Sequence, residues 1–168
     1  MEDVTWPKPD KPAPGQESVW DYPRPPALQP CTASIQVVLG GVTVASTTRS
    51  WRVLETSHPP TYYLPREAFL DGALREAAGS SFCEWKGQAS YVDVLGGDRV
   101  APRAGWTYLQ PTGGFADLAG AVAVMAAQMD ECRVDDEVVT PQPGGFYGGW
   151  ITSTVAGPFK GIEGSWGW

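Results

Sequence analysis

Residues 35–45 read Ile35-Gln36-Val37-Val38-Leu39-Gly40-Gly41-Val42-Thr43-Val44-Ala45, two aliphatic and β-branched runs separated by two glycines. Such runs favour strands, and a Gly-Gly pair supplies the positive φ angles that a two-residue hairpin turn requires. The stretch therefore predicts a strand, a tight turn and a second strand.

Two further stretches repeat this pattern. One is Tyr91-Val92-Asp93-Val94-Leu95, Gly96-Gly97, Asp98-Arg99-Val100-Ala101, and a weaker one is Cys132-Arg133-Val134, Asp135-Asp136, Glu137-Val138-Val139. Repeated hairpins indicate antiparallel sheets that fold over one another so that few strand edges stay exposed. We expect a mainly β fold, with two antiparallel sheets meeting at an angle and short helical turns.

Composition supports a single folded domain. The 168 residues suffice for one hydrophobic core, and 20 Gly with 16 Pro favour turns and short strands over long helices. A content of 42% hydrophobic residues, with 8 Trp, argues against a disordered chain. We expect a disordered Pro-rich tail over residues 1–16, one domain over 17–142, and a Gly/aromatic arm over 143–168 that packs on the domain or on a partner subunit.

Charge and cysteine content exclude several classes of function. A net charge of -7 argues against binding to nucleic acid or to an anionic membrane. The three cysteines, Cys31, Cys83 and Cys132, lack the close spacing of a zinc knuckle, so neither zinc nor another cofactor is expected. No apolar run approaches the roughly 18 residues that span a bilayer. With no apolar N-terminal signal segment, a cytoplasmic location is expected.

Three segments are less regular. Trp20 and Tyr22, within the Pro-rich residues 17–26, are expected to pack as an arm on the domain. Residues 65–79 begin with Pro, contain good helix formers and end with Gly, which predicts two short helical turns broken at Gly72. Residues 118–129 combine helix-favouring Ala with Val122 and Val124, and we interpret them as a buried strand.

An acid and a base are each embedded among aromatic or Pro residues. Glu55 is expected at a strand end before the turn-prone Thr56-Ser57-His58-Pro59-Pro60, where a carboxylate can face a cleft. Lys86 lies between Trp85 and Gly87, where it could bind an anion, although a Lys that extends past Trp85 to solvent is the simpler interpretation. Glu55 could equally be a structural hydrogen-bond acceptor. The only histidine, His58, is interpreted as a turn residue.

Aromatic residues are abundant, and most should belong to the core. Two or three rings from neighbouring hairpins could still stack on a flat ligand. The residues predicted to bind a small molecule are Arg24, Glu55, Tyr63, Trp85, Lys86, Tyr91, Trp106 and Tyr108.

Three functions are consistent with these residues. The first is binding of a small, polar, partly planar ligand between the sheets. The second is a metal-free hydrolase or transferase in which Glu55 acts as base and Lys86 or Arg24 stabilises negative charge. The third is a homo-oligomeric assembly module, in which residues 144–168 form a homodimer arm.

Four segments resemble domain-of-unknown-function family 427. They are Glu17-Ser18-Val19-Trp20-Asp21-Tyr22-Pro23-Arg24-Pro25-Pro26, Leu54-Glu55-Thr56-Ser57-His58-Pro59-Pro60-Thr61-Tyr62-Tyr63-Leu64-Pro65, Cys83-Glu84-Trp85-Lys86-Gly87-Gln88-Ala89-Ser90-Tyr91 and Trp106-Thr107-Tyr108. The likeness spans about residues 17–139. It implies a β-tent-like fold, similar to the ligand-binding domain of cereblon and to methionine sulfoxide reductase B enzymes.

The resemblance also carries functional implications. Relatives in the β-tent group commonly hold zinc with four Cys, one more than this chain contains. A tryptophan cage like that of cereblon would involve Trp51, Trp85 and Trp106, and reductase chemistry would rest on Cys83. The family carries a nominal nucleotidyltransferase label. That chemistry requires a Gly-Ser on a helix, for which Gly79-Ser80 is the candidate, followed by two metal-binding carboxylates on alternate strand residues. Here Asp93-Val94-Leu95 places Leu at the second position.

Overall fold

The computed structural model describes residues 6–83 and 85–168. In these residues the chain forms fifteen short strands and four 3-10 helices, so the prediction of a mainly β fold is confirmed. The strands are β1 Glu17–Ser18, β2 Ala27–Cys31, β3 Ile35–Leu39, β4 Val42–Thr47, β5 Ser50–Leu54, β6 Thr61–Tyr63, β7 Leu74–Cys83, β8 Gly87–Gly96, β9 Arg99–Thr107, β10 Val122–Val124, β11 Glu131–Val134, β12 Glu137–Val138, β13 Thr140–Pro141, β14 Trp150–Ile151 and β15 Val155–Ala156. The 3-10 helices are Val19–Asp21, Arg66–Ala68, Gly113–Leu118 and Ala126–Gln128.

All three predicted hairpins form. Strands β3 and β4 pair through Leu39 and Val42 across the Gly40-Gly41 turn, and β11 and β12 pair across Asp135-Asp136. These two hairpins join into one antiparallel sheet with the order β12-β11-β3-β4.

The second hairpin forms one residue later than the sequence predicts. Gly96 pairs with Arg99 inside the ladder of β8 and β9, so the turn is Gly97-Asp98. The tips of the first two hairpins touch, because a Cβ on Gly96 would come within 2.3 Å of the Leu39 carbonyl oxygen. Gly96 is therefore needed for this close approach, and not for the turn itself.

Two more antiparallel sheets meet along one line. The order of one is β10-β9-β8-β7, and that of the other is β2-β5-β6. Leu64, directly after β6, exchanges both backbone hydrogen bonds with Val122 of β10, at 2.8 and 2.9 Å. This bridge links the two sheets into a continuous curved surface. One side of it packs on the β3–β4 sheet through a large buried core cluster that includes Ile35, Val37, Leu39, Leu64, Val92, Val94 and Val122.

The prediction of helical turns over residues 65–79 is only half right. Arg66–Ala68 is a 3-10 turn and Gly72 has a φ of +80°, but Leu74–Cys83 is a strand. Its ten residues pair with β8 at the edge of the sheet. The helix prediction for residues 74–79 was wrong because pairing with β8 overrides the helical propensity of Ala, Glu and Arg.

Residues 118–129 contain a shorter strand than expected. Only Val122–Val124 is extended in the sheet, and it is fully buried. Two 3-10 helices, Gly113–Leu118 and Ala126–Gln128, flank it. The strand interpretation is thus correct for three residues at the centre of the segment.

Both terminal segments contact the rest of the chain. β15 pairs in parallel with β1, β14 pairs with β13, and the Trp150 indole is buried against Tyr62. The expected packing of residues 17–26 is present, since Val19 and Tyr22 are buried. Met1 to Thr5 of the predicted tail lie outside the described residues. Within residues 6–16, the Asp10 amide donates to the Gly157 carbonyl at 2.8 Å.

Neither a bilayer-crossing helix nor a cluster of metal ligands is present in the described residues. No helix there has the length and apolar character needed to cross a bilayer. No group of three or more His, Cys, Asp or Glu side chains in residues 6–83 and 85–168 is arranged to hold a metal ion.

Candidate functional site

A cavity of about 620 Å³ lies on the side of the curved sheet opposite the core cluster. Its walls come from β5 to β9 and from the loop at residues 142–148. Segments that are remote along the chain therefore line one space, which is typical of ligand sites.

Strand alternation decides which side chains face this cavity. Successive residues of a strand point to opposite faces, so Tyr62 joins the core cluster while Tyr63 lines the cavity. In the same way Tyr91 lines the cavity while Val92 is in the core. The pattern continues past the end of β5, where Val53 and Glu55 both line the cavity.

The cavity floor is aromatic and held in place by a hydrogen bond. The Trp106 indole donates to the Tyr63 hydroxyl at 3.0 Å, and the two rings meet edge to face. The Tyr108 ring lies 6.2 Å from that of Tyr63. Burial raises the pKa of both tyrosines, so they stay protonated and neutral at neutral pH. These contacts fix the positions of the three rings, of which Tyr63 and Tyr108 are buried and Trp106 is half-buried.

The strand register shows where the charged groups lie relative to the aromatic floor. Trp106 pairs with Tyr91 across β9 and β8, and Cys83 pairs with Gly87 toward one end of β8. Lys86 precedes Gly87 at that end. Glu55 follows β5 at the other end, beyond the Val53 and Thr61 pair. The acid and the base thus line one cavity with the aromatic floor between them.

Glu55 is held by two donors. Its Oε2 lies 3.1 Å from the Arg24 guanidinium and 3.3 Å from His58 Nε2. Burial alone would raise the pKa of Glu55, but the hydrogen bond and charge of His58, followed by those of Arg24, lower it to about 2. Oε1 accepts no hydrogen bond from the described residues, which leaves it available to a ligand donor.

The tautomer of His58 follows from its neighbours. The Gln142 amide accepts from the Gly149 N–H and donates to the Lys160 carbonyl, which fixes its orientation. Its remaining N–H points at His58 Nδ1 at 3.1 Å, so Nδ1 is an acceptor. In the neutral ring the proton is therefore on Nε2, where it is donated to Glu55.

Two non-glycine residues at the cavity have left-handed backbones. Ser57, between Glu55 and His58, has a φ of 72°, and Arg103 has a φ of 53°. Ser57 is held by hydrogen bonds with the Val19 carbonyl and the Lys160 amide, and its side chain is buried. Such conformations cost free energy and concentrate at functional sites.

Asp93 holds Arg103 in this conformation. Its Oδ1 accepts from the Arg103 amide at 2.9 Å, while its Oδ2 is bound by Arg75 at 2.8 Å. The backbone hydrogen bond from Arg103, and then Arg75, lower the pKa of Asp93. The Arg103 guanidinium stacks on Tyr91 at 4.5 Å from the ring centre, at the cavity wall.

Lys86 is the enclosed cation of the cavity. It is 9% exposed, and its Nζ lies 5.7 Å from the Tyr108 ring centre and 5.8 Å from that of Phe115. Within residues 6–83 and 85–168, no carboxylate forms an ion pair with it. The simple interpretation of a Lys extended into solvent does not fit this burial.

Six of the eight predicted site residues line the cavity, namely Glu55, Tyr63, Lys86, Tyr91, Trp106 and Tyr108. Arg24 does not line the cavity, but its guanidinium donates a hydrogen bond to the lining residue Glu55. Trp85 packs against a second hydrophobic cluster, which contains Tyr63 and Tyr108, and is not a lining residue. A cage of Trp51, Trp85 and Trp106 is not formed around the cavity, since only Trp106 lines it.

Other lining residues were missed from the sequence. They are His58, Cys83, Arg103, Gln142, Phe146, Tyr147 and Lys160, among others. His58 follows Glu55 by three residues, and this spacing within a turn was the available signal. The C-terminal segment contributes Gln142, Tyr147 and Lys160 to the cavity wall. No local sequence pattern in that segment indicates a site.

The residues named by the nucleotidyltransferase label do not form its metal site. Gly79 and Ser80 lie in the edge strand β7 and not on a helix. The Asp93 carboxylate is bound by Arg75 and by the Arg103 amide, and Leu95 occupies the second carboxylate position. The arrangement therefore does not support this chemistry.

A known family model matches the central part of the chain. The model of the family described as domain of unknown function DUF427 matches residues 27–135, which is more than half of the chain. The chain belongs to this family. No curated protein matches it. The match contains Glu55, Lys86 and the aromatic floor, whereas Gln142, Tyr147 and Lys160 lie beyond it.

Proposed function

We propose that this DUF427 domain binds a small, polar, partly planar molecule in the cavity described above. The observation that carries the proposal is the convergence of Glu55, Lys86 and the Trp106 ring on one cavity from three separate segments. The rings offer a stacking surface, and the two charged groups offer one acceptor and one donor at its ends.

The ionisation of Glu55 favours binding over catalysis. A general base works best when its pKa is close to the operating pH, and the pKa of Glu55 is about 2. An anionic carboxylate with a free oxygen is instead a good acceptor for ligand N–H or O–H groups. The alternative of a metal-free hydrolase or transferase is favoured only by the presence of Lys86 in the same cavity.

A screen with a matched variant tests the proposal. Ligand-observed NMR with planar fragments of varied charge should give hits that the wild-type protein binds and Trp106→Ala does not. Trp166→Ala is the control, because Trp166 is 70% exposed and does not line the cavity. Tyr91→Leu, at a half-buried position, gives a second test should Trp106→Ala unfold. Hits that bind both cavity variants as well as wild type would refute the proposal.

The catalytic alternative makes a different prediction. Turnover on broad ester and amide panels that falls with Glu55→Gln and survives Trp106→Phe would support a hydrolase.

A further inference from the structure

The described charged side chains at the cavity include more cations than carboxylates. Among the described residues, four that line the cavity carry formal charges, and they are Glu55, Lys86, Arg103 and Lys160. The one carboxylate among them already has a cationic partner in Arg24. Neither Lys86, Arg103 nor Lys160 forms an ion pair with a carboxylate of the described residues.

Cations elsewhere in the described chain differ from these three. Five arginines, at positions 24, 52, 75, 99 and 133, are in ion pairs. The other basic residues, Lys8, Lys11, Arg49 and Arg66, are exposed to water. Lys86 alone combines burial with the lack of an anionic partner in the described part of the chain. A buried charge is costly without a counter-charge, so an anion beside Lys86 would offset the part of that cost that the described residues leave uncompensated.

The other two cations also face the cavity. Arg103 is fixed by Asp93 and stacked on Tyr91, so its guanidinium is oriented before a ligand binds. Lys160 donates to the Trp168 carbonyl at 3.3 Å and lies over the Tyr147 ring. A concave wall with cations concentrates anions locally, even in a protein with a net charge of -7.

We infer that the ligand is an aromatic or otherwise planar anion whose carboxylate or phosphate binds the cavity cations while its ring stacks on the Trp106 and Tyr91 surface. Lys86, which is the enclosed cation, contributes most to the preference for negative charge. Arg103 contributes less because it is exposed to water. A hydrogen-bond donor elsewhere on the ligand meets the free oxygen of Glu55. This inference rests on the proposed function and names the class of ligand for that same cavity.

Probes that share one ring and differ in the charge of its substituent test the inference. The first set is 4-hydroxybenzoate, its neutral analogue 4-hydroxybenzamide and the cation 4-hydroxybenzylamine. The second set is phenyl phosphate with phenol as its neutral analogue. Dissociation constants are measured by calorimetry and saturation-transfer NMR. At least one anion should bind about 10-fold more tightly than its neutral analogue, which is the discrimination expected for one charge-assisted contact. The tighter of the two anions identifies the group as carboxylate or phosphate.

Variants of individual cations test which side chains produce the preference for anionic probes. Lys86→Met should remove most of the preference, Lys86→Arg should keep it, and Arg66→Met, at an exposed site away from the cavity, should leave it unchanged. Arg103→Gln gives an independent test at an exposed position, and it should reduce the preference about 3-fold. That test holds even if Lys86→Met fails to fold.

The outcomes separate the two proposals. Binding of 4-hydroxybenzamide or phenol at least as tight as that of the anions would overturn the inference and leave the proposed function standing. Absence of binding by every probe would overturn both. A preference for anions that survives both Lys86→Met and Arg103→Gln would overturn the assignment to these cations.

Discussion

The two faces of strands β8, β9 and β10 are built from the same chain segments and differ in every property that matters for function. Val92, Val94 and Val122 on the core face are fully buried aliphatic residues. Tyr91 and Trp106 on the other face line the cavity. The core face can be filled by any residues of suitable volume, whereas the cavity face carries specific hydrogen-bonding and charged groups.

Ionisable groups behave differently on the two sides. Burial raises the pKa of Tyr62 and Cys132, both in the core cluster, to about 12, so each is neutral. Glu55 at the cavity is also partly buried, but His58 and Arg24 lower its pKa to about 2. The tyrosines on both sides are therefore neutral, and Glu55 differs from them because its partners keep it charged at the cavity.

The largest expected loss of stability follows from a substitution on the core face. Leu64→Ala removes a fully buried side chain at the bridge between the two sheets. It should lower the free energy of unfolding by about 2–5 kcal/mol, because it loses apolar burial and leaves a cavity. Urea denaturation measures this. Tyr91→Leu on the opposite face should cost less than about 1.5 kcal/mol. Equal losses would show that both faces are structural.

A smaller effect is expected where the C-terminal loop touches the cavity floor. A Cβ on Gly148 would lie 2.1 Å from Cη2 of the Trp106 ring, which is held by Tyr63. Gly148→Ala should therefore cost about 1–3 kcal/mol and shift the Trp106 fluorescence. Gly114→Ala is the control, because its Cβ would meet no atom within 4 Å. Full tolerance of Gly148→Ala would mean that the loop is not packed on the floor.

The structural features that were predicted correctly from the sequence are those determined by a few neighbouring residues. The hairpin turns were evident because Gly40-Gly41 and Asp135-Asp136 act within a few residues, and both adopt positive φ angles. Strand β7 was mistaken for helix because Leu74-Arg75-Glu76-Ala77-Ala78 has helical propensity. Its pairing with β8 is a tertiary interaction that no window of that length reveals.

The residues of the candidate site also divide into those with a local signal in the sequence and those without one. Glu55 was predicted because strand ends are visible in sequence, and Tyr63 because it is an aromatic residue in a segment that resembles the family. Lys86 was noticed through its aromatic neighbours, but its burial against Phe115 depends on a distant 3-10 helix. Lys160 joins the cavity only through the fold of the C-terminal segment. No physical rule links it to Glu55 without the structure.

The smallest expected effect concerns the charge of Glu55. Its pKa in the folded protein is about 2, below the ordinary 4.5, so its ion pairs stabilise the fold above about pH 4.5. That contribution is lost as the pH falls toward 2. Wild type should exceed Glu55→Gln in stability by on the order of 1 kcal/mol at pH 7, because the partner Arg24 is partly exposed.

Denaturation of both proteins between pH 7 and pH 2.5 measures this difference, with Glu67→Gln, at an exposed site, as the control. The gap between wild type and Glu55→Gln should narrow steadily below pH 4.5, and 0.5 M salt should narrow it at every pH because the Arg24 pair is reached by solvent. A gap independent of pH would mean that Glu55 is not held as an anion. In that case the cavity would lack the charged acceptor that distinguishes it from the neutral core, and Glu55 would regain its place as a candidate general base.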